Sequence, residues 1–233
     1  LPLPLETELT SSESTVRPIF QPSYFPWFAR AIGLALLLSI FQVMFAFAEV
    51  TPNYSYVNYW QYFTTQSNLI SALVILYRWS PLYRADPTNR ARYESWRAAL
   101  LVFMSQTTFV YWAVLHGIFK MPDTLTFVTV AFLHSGAFVY FLIEYAVEPP
   151  ETLITLKSAL WWLAYPVAYT TFIQVMAQFR SWYPYPFMDP AKSGSVAAAV
   201  VNQVVLALII TSVALSQRWL HNKWMMKRQR TSA

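Results

Sequence analysis

Six stretches of about two dozen residues, each nearly free of charge, recur along this chain: 27–49, 56–79, 96–119, 124–147, 156–179 and 196–219. Roughly 20 apolar helical residues cross the hydrocarbon core of a bilayer, and every stretch meets that length. A span in lipid must satisfy its own backbone hydrogen bonds, which leaves helices and closed barrels. The period-2 alternation of a barrel strand is absent. The expected fold class is therefore all-α, a polytopic membrane protein with six transmembrane helices. Composition agrees: charged residues make up 12% of the chain, where a soluble domain carries about 25%. So little charge cannot coat a soluble globule.

The separators carry the turn and charge signals: TPNYSY, SPLYRADPTNRARYES, KMPD, EPPET and SWYPYPFMDPAKSG. Three parts follow: an extended N-terminal tail over 1–26, a transmembrane bundle over 27–219 and a basic C-terminal tail over 220–233. The N-terminal tail is rich in Pro, Ser, Thr and Glu and holds no signal-peptide core. A chain starting at Leu1 is expected to be processed or incomplete. With no cysteine, disulfides, zinc–thiolate sites and a thiol nucleophile are excluded.

Lys and Arg set the orientation. Arg78, Arg84, Arg90, Arg92 and Arg97 lie between the second and third segments. Arg218, Lys223, Lys227, Arg228 and Arg230 follow the sixth. With Arg17, Arg30 and Lys157 they place thirteen of sixteen cations on one side, leaving Lys120, Arg180 and Lys192 opposite. Both termini are expected in the cytoplasm, most simply of a bacterial inner membrane. The net charge of +5 thus belongs to membrane flanks facing lipid headgroups, and nucleic acid is not an expected partner.

Orientation gives each polar residue a depth. His134 lies ten residues into the fourth segment, roughly 15 Å from its outer end, and Thr64 roughly 12 Å into the second. The two can share a level. Gln61, Thr64, Asn68 and Ser71 recur at helical spacing, with Ser67 beside them, and form one polar face. Gln42, Glu49, His116, Gln174, Gln178, Asn202 and Gln203 sit at similar or shallower depth, while the inner halves read as drier. That profile suggests a pocket opening outward. The same amides also serve as interhelical glue, at about 0.6 kcal/mol per bond, and both readings stand. Glu49 and Glu144, near segment ends, are expected to reach the interface.

A hydroxyl and an imidazole at one depth are the minimum set for nucleophilic acyl transfer. A threonine hydroxyl needs a base within hydrogen-bond reach, and a neutral His134 can serve. Asn68 and Gln61 are candidate oxyanion donors. His116 and Asp189 would line the mouth, with Gln174 on the pocket wall. No HExxH, P-loop or GxSxG is present, and the chemistry needs no cofactor or metal.

FTTQSNL (63–69), LHSGAFVYFLIE (133–144) and WLAYPVAYTTFIQVMAQFRSWYPYPFMDP (162–190) resemble the androgen-induced-gene family of six-helix membrane proteins and its bacterial relatives. The likeness covers five of the six segments. Its most specific pieces are the spacing from His134 to Glu144 and the YPF turn at 185–187. It implies a threonine hydrolase that cleaves esters of hydroxy fatty acids, with His134 as the histidine partner. By position the resemblance favours Thr65 as nucleophile, whereas the polar face favours Thr64, because adjacent residues point about 100° apart on a helix. Two other classes remain open. One is a non-catalytic subunit packed against a larger photosynthetic or respiratory membrane complex. The other is a carrier or sensor that binds a lipid without chemistry.

Overall fold

The computed structural model describes residues 24–232 apart from 85, 87 and 119. The expected N-terminal tail lies, up to residue 23, outside the described residues. The described residues form helices and turns, and no strand is found among them. Helix α1 spans Phe25–Val50, with Pro26 in its first turn, where a missing N–H costs no helical bond. Helices α2 (Tyr56–Trp60), α3 (Phe63–Arg78) and α4 (Pro81–Arg84) follow. Helix α5 (Asn89–Val110) runs into a π-helical turn, Tyr111–Leu115. Helix α6 is Thr124–Val147, α7 is Leu156–Trp162 and α8 is Ala164–Arg180. A 3₁₀ turn at Pro186–Met188 and short α9 (Pro190–Ser193) lead into α10, Val196–Ser232. Among the described residues four helical stretches are long and apolar enough to cross a membrane: Phe25–Val50, Asn89–Leu115, Thr124–Val147 and Val196–Arg230.

Two of the apolar segments are each broken into a short and a long helix. In the fifth, α7 stops at Trp162, four residues before Pro166. Proline has no N–H to offer that carbonyl, and its ring collides with it. The second breaks between Gln61 and Tyr62, with Tyr62 extended at φ −69°, ψ 133°. No proline explains this break; side chains hold it open. The Gln66 side-chain amide donates to the Trp60 carbonyl at 3.0 Å, and the Tyr169 hydroxyl donates to the Gln61 carbonyl at 2.9 Å. Carbonyls freed within an apolar region need such partners.

Helices α1, α3, α5 and α6 pack on one another, and α10 lies along α5 and α7. The head of α3 is wedged by rings: Phe63 meets Tyr165 and Tyr169 of α8 at centroid distances of 5.3 and 5.1 Å. Gly33 of α1 lets α3 come close, since a Cβ there would sit 2.9 Å from Leu76 Cγ.

The end of the bundle where α3 and α6 finish corrects the expectation of a dry inner half. Glu94, Arg97, Glu144 and His221 are all buried there. Glu144 does not reach an interface. Its Oε1 accepts from the Tyr93 hydroxyl at 2.5 Å and the Tyr140 hydroxyl at 3.0 Å. Glu94 accepts from the backbone N–H groups of Glu151 and Thr152. Arg78 pairs with Glu148 at 2.8 Å. The basic C-terminal segment is a helical extension of α10. Its His221 is buried, with Nε2 2.8 Å from the Thr152 carbonyl and Nδ1 3.0 Å from the Tyr145 hydroxyl.

Candidate functional site

At the opposite end, α3 and α6 bring Thr64 and His134 together: Thr64 Oγ1 lies 3.2 Å from His134 Nε2. The other ring nitrogen, Nδ1, is 2.7 Å from the Val130 carbonyl, one turn back on α6. A carbonyl only accepts, so Nδ1 carries the proton. In the neutral ring Nε2 is then the acceptor, and the Thr64 hydroxyl donates to it. The imidazole is held on its face as well, stacked on Tyr111 at 3.9 Å and 21°. Tyr111 opens the π-helical turn after α5, and such turns recur at functional sites. The backbone behind the ring is pinned by Thr108, whose hydroxyl donates to the His134 carbonyl.

The pair opens onto a cavity of about 350 Å³ walled largely by Val43, Phe47, Tyr54, Tyr59, Tyr62 and Tyr111. The Tyr54 and Tyr111 hydroxyls are buried without a protein partner. Thr64 also faces a second cavity, of about 240 Å³, between α3, α5, α8 and α10. Thr64, Leu115 and Tyr185 line both. The nucleophile candidate therefore sits on a shared wall.

Tyr185 is the residue that spacing arguments missed. It lies in the loop before α9 and lines both cavities beside Thr64. The N–H groups of Phe63 and Thr64 lie in the first turn of α3, where a helix has no internal acceptors. They are free because the chain breaks at Gln61–Tyr62. Burial pushes the Tyr185 phenol above its ordinary pKa, so it is a neutral donor at pH 7. Its signal in the sequence was the YPF turn.

The remaining expected site residues separate. Thr65 lines the same cavity but is buried beside Tyr59, whose hydroxyl donates to the Ile40 carbonyl at 2.6 Å. Asn68 is no oxyanion donor: its Nδ2 gives one hydrogen to the Thr64 carbonyl at 2.9 Å and the other to the Leu133 carbonyl at 2.7 Å. It ties α3 to α6 directly beneath the pair. Gln61 caps the end of α2 and is not among the residues lining the dyad cavity; the unbroken helical face that linked it to Thr64 does not exist. His116 is exposed beyond the π-turn and packs on Trp112 at 4.9 Å rather than lining the mouth. Gln174 donates to Gln203 Oε1 at 3.0 Å, joining α8 to α10. Asp189 caps α9 by accepting from the Ala191 N–H at 2.9 Å.

Among the described residues no three His, Asp or Glu side chains converge as metal ligands. Chemically, the site offers a hydroxyl donating to a neutral, oriented imidazole, a phenol donor on its other side, and apolar space on both. The chain matches no family model, no curated protein and no solved structure.

Proposed function

We propose that this chain is an integral membrane hydrolase of acyl-lipid esters, in the manner of the androgen-induced-gene family, with Thr64 as nucleophile and His134 as base. The observation that carries the reading is the 3.2 Å contact from Thr64 Oγ1 to His134 Nε2, with Nδ1 locked on a carbonyl. Thr64 Oγ attacks the ester carbonyl carbon while Nε2 takes its proton. The Tyr185 hydroxyl, beside Thr64 on the wall of both cavities, donates to the oxyanion. The carbonyl carbon–alkoxide bond breaks, and the leaving alkoxide takes the proton from Nε2. His134 then deprotonates a water that attacks the acyl-threonine, releasing the acid and restoring Thr64. Ester and water become acid and alcohol with no cofactor.

The same proposal includes topology. Six crossings, two of them made of the broken pairs α2–α3 and α7–α8, put both termini in the cytoplasm and the dyad in the outer half of a bacterial inner membrane. The cation asymmetry supports this. Five of those cations (Arg30, Arg78, Arg97, Arg218 and Arg228) bond carbonyl or carboxylate oxygens clustered near the ends of α3 and α6.

The direct test is hydrolysis of a chromogenic or lipid ester by the purified chain beside Thr64→Ala and His134→Ala. Each variant is expected to lose on the order of 10²–10⁴-fold in turnover, with Thr65→Ala retaining activity. Turnover unchanged in both would end the hydrolase reading. A co-purified lipid with its ester intact, and no turnover, would favour a carrier or sensor. Co-migration with a large complex in mild detergent would favour an accessory subunit.

A further inference from the structure

The second cavity reaches the surface of the bundle. Helix α10 lies along α5 and α7 but does not pack along α8. Beyond the α7 contact the two helices stand apart until the Gln174 amide donates to Gln203 Oε1 at 3.0 Å. Between those two rims is a window. Val167 and Thr171 of α8 edge it on one side and Ala207 of α10 on the other. All three line the cavity and all three are exposed. The outer surface around the window is hydrocarbon: Val167 is 61% exposed, Val204 52% and Leu208 64%. The back wall differs. There α5 presents Gln106 Oε1 and the Thr107 hydroxyl, both buried and without a protein partner.

A buried polar atom left unpaired is costly, and a mere packing fault in an apolar wall would not carry two. The cavity suits an occupant that is polar at its deep end and apolar along its length. An exposed apolar rim on helices read as membrane-embedded faces acyl chains rather than water. Resting on the membrane-hydrolase reading, we propose that the gap between α8 and α10 is a lateral portal. An ester dissolved in the bilayer enters through it, linkage first, and its acyl chain lies in the window. Thr64 lines the same cavity from α3, so the ester carbonyl comes to its hydroxyl without leaving the membrane. The Thr107 hydroxyl has a hydrogen to give to the linkage as it arrives. The Gln174–Gln203 bond and the α7–α10 packing bound the opening at its two ends and keep α8 and α10 from splaying further.

The test is photolabelling of the full chain in dioleoyl phosphatidylcholine vesicles, with the methyl ester of a hexadecanoic acid that bears a mid-chain diazirine as the probe. Peptide mass spectrometry reads the adducts. They should fall on the buried wall residues Leu115, Met188 or Ile210 as well as on exposed Val201 and Leu208. Ala207→Trp and Thr171→Trp, made separately, fill the window from its two sides at exposed positions. Each should cut the buried adducts by about tenfold, the effect of crowding one bulky group into the path, and leave the exposed ones unchanged. Adducts confined to exposed positions overturn the portal. Buried adducts that persist in both variants show entry by another route and overturn it as well. Hydrolysis of the same methyl ester should fall with the labelling, while p-nitrophenyl acetate, which has no chain to place, is cleaved as by the wild type. Should no ester be cleaved, the hydrolase reading fails separately, and the labelling, which needs no turnover, still decides the portal.

Discussion

Two adjacent threonines, chemically identical, are separated by what stands beside each hydroxyl. Thr64 donates to an imidazole whose tautomer is set by the Val130 carbonyl, while Thr65 is buried. Thr64→Ser should keep most of the activity and Thr64→Ala almost none. Tyr185 makes a sharper prediction, because its proposed role is to stabilise charge that exists only in the transition state. Removing one such donor costs on the order of 10²–10³-fold in kcat. Tyr185→Phe keeps the ring and its packing and removes only the hydroxyl, so the loss should appear in kcat with KM little changed. A loss confined to KM would place Tyr185 in binding instead. Asn68 is glue: Asn68→Leu should lower thermal stability by about 1–3 kcal/mol through the unpaired Leu133 carbonyl, read as a melting shift of the purified protein.

The elements that matter most here are the ones that stop. Were α2 and α3 one continuous helix, the N–H groups of Phe63 and Thr64 would be bonded within it. The break is stabilised by Gln66 and Tyr169. Helix α6, which carries His134, begins at a cap of ordinary kind. Asp123 accepts from the Thr126 N–H at 2.8 Å and the Thr126 hydroxyl at 3.0 Å, and these bonds hold its carboxyl below the usual value. A lowered folded pKa means the cap contributes fully above the unfolded value of about 3.9 and is lost as pH falls through the folded one. The melting temperature should therefore fall less steeply between about pH 5 and about pH 2 in Asp123→Asn, since Asn caps without titrating. Equal slopes in the two proteins would show that this cap does not contribute.

Across the whole molecule the two ends do different work. The dyad end is a pair of cavities lined with unpaired hydroxyls, and the basic end is a closed network of charge. Arg97 supplies the opposite charge to buried Glu144 and donates to the Glu148 carbonyl at 2.8 Å. Arg97→Met strands that carboxylate and should cost about 3–5 kcal/mol, measured by denaturant titration in mixed micelles. Arg97→Met/Glu144→Leu, which removes both charges, should recover part of the loss. The native chain has no cysteine, so topology can be mapped with single substitutions. Lys120→Cys should react with an impermeant thiol reagent from outside intact cells, and Lys157→Cys only after lysis. Reversed labelling would invert the proposed orientation.

Apolar run length and a rise of about 1.5 Å per residue were enough, from the sequence alone, to announce helices long and apolar enough to cross a membrane and to bring Thr64 and His134 to one level. Those are one-dimensional quantities, and sequence carries them in full. Pro166 even marked the α7–α8 break. Which way a side chain turns about its helix, and what meets it there, depends on residues far off in the chain. The break at Gln61–Tyr62 rests on Tyr169, Tyr185 of the loop before α9 lines both cavities beside Thr64, and Glu144 is buried by Tyr93 and Tyr140 rather than surfacing. Tertiary packing alone set the Thr64 hydroxyl against His134 and turned both Asn68 amide hydrogens onto carbonyls, because a hydrogen bond is decided by direction and distance in three dimensions.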